Sequence, residues 1–153
     1  VTVISPKNGL INGWHENSWG HYFPIDKQLG DVLAADYSAL IIPGGKRSID
    51  KLAENPHGRR IVTGFVDAEK PMVVFGEAAS LLTTFERASG RKLSAEGSVA
   101  EGLTAAGATV SEEPTTLSGA MLSTTVVEVD EVKALIEDAI ELIGSTSDVA
   151  NAA

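Results

Sequence analysis

With 153 residues, 43% of them hydrophobic and 22% charged, the chain can bury one core without metal or disulfide support, which excludes a disordered segment or a stapled miniprotein. It has no cysteine, so thiolate nucleophiles, thiolate metal sites and disulfides are all absent. A formal charge of −9, from 21 acidic against 12 basic residues, repels phosphate backbones and anionic lipid, and no apolar run nears the ~20 residues that span a bilayer. Neither nucleic acid nor a membrane is expected as a partner, and the cytoplasm is the expected compartment.

Four apolar, β-rich runs alternate with helical patterns, which predicts an α/β domain on a mostly parallel sheet with helices on both faces. The first run, residues 1–4, opens on Val1 with a strand already in progress, so sequence upstream is expected; it has none of the marks of a signal peptide. Residues 9–26 hold both tryptophans in a stretch rich in Gly, Asn and His. They predict a small antiparallel excursion, 10–14 against 20–25, laid at the sheet edge. Its rings, Trp14, Trp19, Tyr22 and Phe23, are suited to capping the core or a subunit contact, or to covering a ligand.

The second core run, 39–42, is followed by helical patterns at 48–54 and 58–68. The basic stretch His57-Gly58-Arg59-Arg60 reads as a solvated helix face. The third run, 72–75, leads into a helix at 78–88. Continuous apolar runs such as Leu40-Ile41-Ile42 and Met72-Val73-Val74-Phe75 mark strands buried on both faces. A short helix at 95–106 ends at Gly107. A β excursion over 108–125 turns at Ser118-Gly119 into the fourth core strand, 121–125. The last helix, 128–143, repeats Val129, Val132, Leu135, Ile136, Ala139, Ile140 and Ile143 at helical spacing, with Gly144 as its stop. One domain over 1–144 and a flexible tail over 145–153 are expected.

Two motifs carry chemistry. After the third strand comes Gly76-Glu77-Ala78-Ala79-Ser80, where a strained strand-to-helix turn would lift a nucleophile and aim the next amide at an oxyanion. Gly76 provides the turn and no attacking atom. After the second strand comes Pro43-Gly44-Gly45, whose backbone N–H groups are free to face a ligand at the carboxyl edge of the sheet. The two motifs lie side by side at that edge. Gly44, Gly45, Gly76 and Glu77 are the candidate ligand-binding residues, with Trp19 from the excursion above them.

In these segments the chain resembles the ThiJ/PfpI group, or DJ-one superfamily, of the class I glutamine amidotransferase-like fold. The stretches Trp19 to Asp26, Asp36 to Gly45, Lys70 to Phe75 and Gly90 to Ser94 follow the family order, and the resemblance covers nearly the whole chain. It implies a flavodoxin-like three-layer sandwich and a homodimer. Relatives carry Cys-His-Gly after the third strand; the resemblance sets Gly76 at the Cys, Glu77 at the His and Ala78 at the Gly. A family glutamate after a first strand would precede Val1, in a crossover unit of roughly 30 residues. The carboxy-terminal domain of large-subunit catalases, similar in fold, also lacks the elbow cysteine.

The expected function is therefore a catalytically silent binding, structural or stress-related module with a possible small carbonyl ligand and no cofactor. The alternative is an intracellular protease, amidase, glyoxalase or deglycase working without cysteine. In that case Glu77 serves as nucleophile or as base, and as a base it needs a hydroxyl partner; Ser80, Thr83 and Thr84 follow it, and the sequence places none of them beside it. His15, His21 and His57 are the remaining acid–base or metal candidates, the first two sharing the excursion with Glu16 and Asp26. Their spacing matches no strong zinc signature, and no metal is expected. Glu112-Glu113 and Asp130-Glu131 read as solvated positions, the latter favoured at a helix start.

Overall fold

The computed structural model describes residues 1–15 and 17–152, with side chains as far as Gly144. It begins with β1 (Ile4–Ser5), a hairpin of β2 (Leu10–His15) and β3 (Ser18–Pro24), and β4 (Lys27–Gln28). Two short 3-10 turns lead to β5 (Leu40–Ile42), α1 (Lys46–Ala53), α2 (Pro56–Asp67) and β6 (Met72–Phe75). A 3-10 turn over Gly76–Ala79 runs straight into α3 (Ser80–Thr84). Then come β7 (Lys92–Ser94), α4 (Gly97–Ala105), β8 (Thr109–Ser111), β9 (Thr115–Ser118), β10 (Met121–Thr124) and α5 (Val129–Ala152).

The central sheet has the order β5-β6-β10-β9, parallel except for β9. Side chains alternate across a strand, so Met72 and Val74 face one layer and Val73 the other. Met72, Val74 and Ile42 join Ile49 of α1 and Ile61, Val62, Phe65 and Val66 of α2 in the main core. Val73, and Ala139 of α5, are buried outside that cluster. Met72-Val73-Val74 is buried on both faces, as its unbroken hydrophobic sequence demands. Leu40–Ile42, expected to be so too, leaves Ile41 exposed at the sheet edge, and Met121–Thr124 buries the hydroxyl residues Ser123 and Thr124.

Four expectations change. The first run does not enter the central sheet: Ile4–Ser5 pairs in parallel with Lys27–Gln28 instead. The cause is Asp26, whose carboxylate accepts from Val3 N–H at 2.7 Å while its own N–H donates to the Val3 carbonyl at 2.9 Å. The aromatic excursion is a hairpin, but it forms a sheet of its own. The helix expected over 78–88 ends at Thr84, because Glu86 is left-handed (φ 58°) and Arg87 N–H reaches back to the Leu82 carbonyl at 2.7 Å. The last helix continues through Gly144 to Ala152, since Gly144 takes no left-handed φ and so forms no terminating cap. Ala153 lies outside the described residues. Lys92–Ser94, a strand the sequence pattern did not mark, pairs in parallel with Thr109–Ser111 of the expected β excursion, the two joined by α4.

Candidate functional site

The elbow is built at the end of β6. Gly76 has φ 51°, a left-handed turn that an L-residue adopts only at a cost, and a Cβ placed on it would meet no atom within 4 Å. The strand-to-helix geometry that presents a side chain to open space is in place, with hydrogen where that side chain would begin.

At the end of neighbouring β5, Pro43-Gly44-Gly45 leads into α1. Gly45 is the N-cap residue, with φ 109° and no side chain to cap the helix. The cap comes from the adjacent elbow: Glu77 Oε2 accepts from Gly45 N–H at 3.0 Å. A carboxylate at a helix N-terminus is favoured both by the free amide and by the helix dipole. The approach is close enough that a Cβ on Gly44 would lie 3.0 Å from Glu77 Oε2 and 3.0 Å from the Phe75 carbonyl. The fold thus gathers Gly44, Gly45, Gly76 and Glu77 into one cluster, as the parallel pairing of β5 and β6 predicted.

Two details were not legible in sequence. The first is that the Glu77 carboxylate takes the Gly45 amide for itself. An acidic residue one place after an elbow that faces paired glycines brings a carboxylate near them, but residue order does not tell which way it turns. The second is Lys46, whose ammonium is held above its ordinary range, chiefly by its hydrogen bond to Asp50 at 2.8 Å and less by the charge on Glu77. Lys46 and Asp50 form an exposed i,i+4 pair on α1.

No hydroxyl is paired with the Glu77 carboxylate among the described residues. Ser80 Oγ donates to the Glu77 carbonyl at 2.7 Å, and Thr84 Oγ1 to the Ser80 carbonyl at 3.2 Å. Thr83 Oγ1 is buried without a hydrogen-bond partner. Ala78 is fully buried and part of the core, so it contributes shape alone.

The remaining candidates are carried by other elements. Trp19 sits in β3, its ring 5.0 Å from Trp14 in an edge-to-face contact at 80°. His15 and His21 are on the same hairpin, Asp26 is engaged with Val3, and Glu16 lies outside the described residues. His57 is the second residue of α2, its backbone N–H donating to Oδ1 of the Asn55 cap at 2.9 Å. Among the described residues no group of three His, Cys, Asp or Glu side chains could hold a metal. The basic stretch does more than face solvent: Arg60 donates to the Val32 carbonyl at 2.9 Å, and Arg59 lies over the Phe85 ring at 5.8 Å. No helix among the described residues is long and apolar enough to cross a membrane.

Comparison with known families decides the kinship. The model of the DJ-1/PfpI family matches residues 1–142. The chain belongs to the DJ-1/PfpI family. Among curated DJ-1/PfpI relatives, protein DJ-1 homolog D of Arabidopsis thaliana is 36% identical over 76 residues, 50% of this chain and 19% of that protein. An uncharacterized protein of Archaeoglobus fulgidus is 29% identical over 104 residues, 68% of this chain and 61% of its own. Putative cysteine protease YraA of Bacillus subtilis is 32% identical over 89 residues, 58% of this chain and 52% of its own. The chain therefore spans less than two thirds of each of these relatives. The fold is shared with a ThiJ/PfpI domain protein from Brachyspira murdochii, with a TM-score of 0.75 at 16% identity over 96% of this chain and 79% of that one. A mutant of a DJ-1 superfamily protein from Salmonella typhimurium gives 0.72 at 18% identity, over 96% of this chain and 74% of the other. These likenesses establish a DJ-1/PfpI three-layer α/β fold of flavodoxin-like type.

Proposed function

We propose that this chain is a catalytically silent DJ-1/PfpI domain, a binding or structural module in place of a hydrolase. One observation carries the reading: the elbow keeps its left-handed turn and open approach, while its tip is Gly76 and the neighbouring donor, Gly45 N–H, is taken by the chain's own Glu77. Acyl or carbonyl chemistry at such a turn needs an attacking atom and a free oxyanion donor together. The chain has no cysteine to supply the first. The second is available to a small carbonyl ligand only when the carboxylate swings aside.

The printed name of the Bacillus subtilis relative, putative cysteine protease, describes a route this chain cannot follow with a thiol. An enzymatic role would rest on Glu77 acting as a base, yet the hydroxyl nearest in sequence, on Ser80, is bonded to a backbone carbonyl. The test is incubation with methylglyoxal and with a chromogenic peptide. The unmodified chain and Glu77→Gln are expected to turn over neither, while Gly76→Cys gains a solvent-reactive thiol. Turnover by the unmodified chain that Glu77→Gln abolishes would sink the proposal.

A further inference from the structure

The dipeptide Asn-Gly occurs twice in the chain, at residues 8–9 and 12–13, and the two copies stand in opposite surroundings. An asparagine ahead of glycine is chemically labile, because no side chain on the following residue screens its amide nitrogen from the carboxamide carbon. We infer that Asn8–Gly9 is a site of slow self-modification to aspartate and isoaspartate, and that the β2–β3 hairpin protects the same dipeptide at Asn12–Gly13.

Asn8 and Gly9 are exposed in the bend between β1 and β2, outside any strand. Gly9 has φ 107°, and a Cβ placed on it would meet no atom within 4 Å, so the space around it is open. Among the described residues neither the Asn8 carbonyl nor the Gly9 N–H is hydrogen-bonded, which leaves the peptide group between them free to turn. Asn12–Gly13 is held differently. It lies within the ladder, between the pairs Asn12↔Tyr22 and Trp14↔Trp19, and Asn12 Oδ1 is shut off from solvent. A Cβ on Gly13 would sit 3.6 Å from the Phe23 ring. Ring closure there first requires β2 to peel from β3, a local opening with its own free energy. Of the other asparagines, Asn17 precedes Ser18, which has a side chain, and Asn55 precedes Pro56, which has no amide proton to give up.

The reaction needs water alone. A solvent base removes the Gly9 amide proton, the nitrogen's electron pair forms a bond to Asn8 Cγ, and the carboxamide C–N bond breaks, its nitrogen leaving as ammonia with a proton from water. The five-membered imide then takes up water at one of its two carbonyls. Breaking the bond at Cγ leaves aspartate; breaking the bond at the backbone carbonyl leaves isoaspartate, whose main chain runs through the side-chain methylene. Nothing is oxidised or reduced. Either product sets a carboxylate at the foot of the hairpin, where the Gly9 carbonyl accepts from Ile25 N–H at 3.0 Å. The residue after Ile25 is Asp26, whose carboxylate holds Val3 N–H at 2.7 Å. A new like charge beside it, in a chain of formal charge −9, works against both contacts. The extra methylene of isoaspartate also shifts the Gly9 carbonyl away from the Ile25 amide. No residue from 8 to 26 belongs to the core cluster, so the change stays within the hairpin and the β1–β4 pair.

The test is to hold the full chain at body temperature and mildly alkaline pH and to follow each asparagine by peptide mass analysis, with electron-transfer fragmentation to tell aspartate from isoaspartate. In the folded chain we expect conversion at Asn8 to run at least roughly tenfold faster than at Asn12, a gap set by the local opening that Asn12 needs. In strong urea the two sites should convert at comparable rates. Gly9→Ala should slow conversion at Asn8 and leave Asn12 as it was. Should that variant misfold, the comparison of the folded with the urea-unfolded chain decides alone. The converted protein, isolated by anion exchange, should exchange its Ile25 amide faster than the unmodified chain, with Val73 unchanged; unaltered protection of Ile25 would remove the effect assigned to the hairpin. Equal rates at Asn8 and Asn12 in the folded chain, or no conversion at Asn8, would overturn the inference. A gap that persists in urea would equally do so, since it would come from the neighbouring sequence and not from the fold.

Discussion

Gly76 and Glu77 set the character of the elbow by one left-handed turn and one carboxylate. Restoring a side chain at position 76 meets no steric obstacle, since the space around the missing Cβ is open. The cost is the left-handed φ, about 1 kcal/mol for a residue with a Cβ. Gly76→Cys should therefore fold, lose about that much in urea unfolding, and react readily with a chromogenic disulfide reagent; a buried or unreactive thiol would mean the turn faces inward. Glu77 serves the fold as the cap of α1, so Glu77→Ala should cost about 1 kcal/mol. Its specific sign is at Gly45, whose amide should exchange faster and shift upfield in the proton spectrum once its acceptor is gone. The place of the cluster was legible in sequence, from two glycine motifs at adjacent strand ends. The self-capping was not, because nothing in residue order tells which way the Glu77 side chain turns.

Among the elements, the strands most easily read were the uniformly apolar ones; those missed or misplaced are held by polar side chains. β7 is joined to β9 and β10 by buried hydroxyls: Ser94 N–H donates to Ser123 Oγ at 2.8 Å, and Ser94 Oγ bonds the Glu113 carbonyl at 2.8 Å and Thr116 Oγ1 at 2.7 Å. Ser94 and Ser123 are almost wholly buried. Such residues read as loop formers in a sequence, because their strand role depends on partners roughly twenty to thirty positions away. Ser123→Ala strips the buried Ser94 amide of its acceptor and should cost about 1–3 kcal/mol, measured by denaturant unfolding. The sheet that β1 joins eluded the pattern for the same reason, its pairing being set by Asp26. Between α2 and the turn after α3, Arg87 grips Asp67 with two bonds, of 2.7 and 3.1 Å. The hydrogen bond from Arg87, more than any other contact, holds the Asp67 carboxyl below its ordinary value, against a smaller opposing effect of desolvation. The folded state thus holds this proton less tightly than the unfolded one. The pair's contribution is present above the ordinary carboxylate value and lost as pH falls through the lowered one. Asp67→Asn should therefore flatten the fall of Tm across that acidic window; an unaltered acid limb would show that the pair contributes nothing.

At the scale of the whole molecule, the α/β class was readable because alternating runs and helices leave few other topologies. Sheet membership was not, because an apolar run does not say which edge it joins. Here β5 has one ladder partner among the described residues, β6, and its other side is unpaired. In a parallel ladder the N–H and C=O of one residue point to the same side and alternate along the strand. Leu40 N–H donates to the Pro71 carbonyl at 3.0 Å, so the N–H and C=O of Ile41 point away from β6. The Ile41 side chain is itself 38% exposed, while Val73, its neighbour in register, is 3% exposed. Cover on this layer is therefore thick at the sheet centre and thin at the β5 edge, and an open apolar edge is one that proteins usually protect. Local opening is easiest where backbone groups lack ladder partners. Hydrogen exchange followed residue by residue should find the Ile41 amide exchanging at least tenfold faster than those of Leu40 and Val73. Equal protection of the three would mean that a strand or another copy covers the β5 edge in solution.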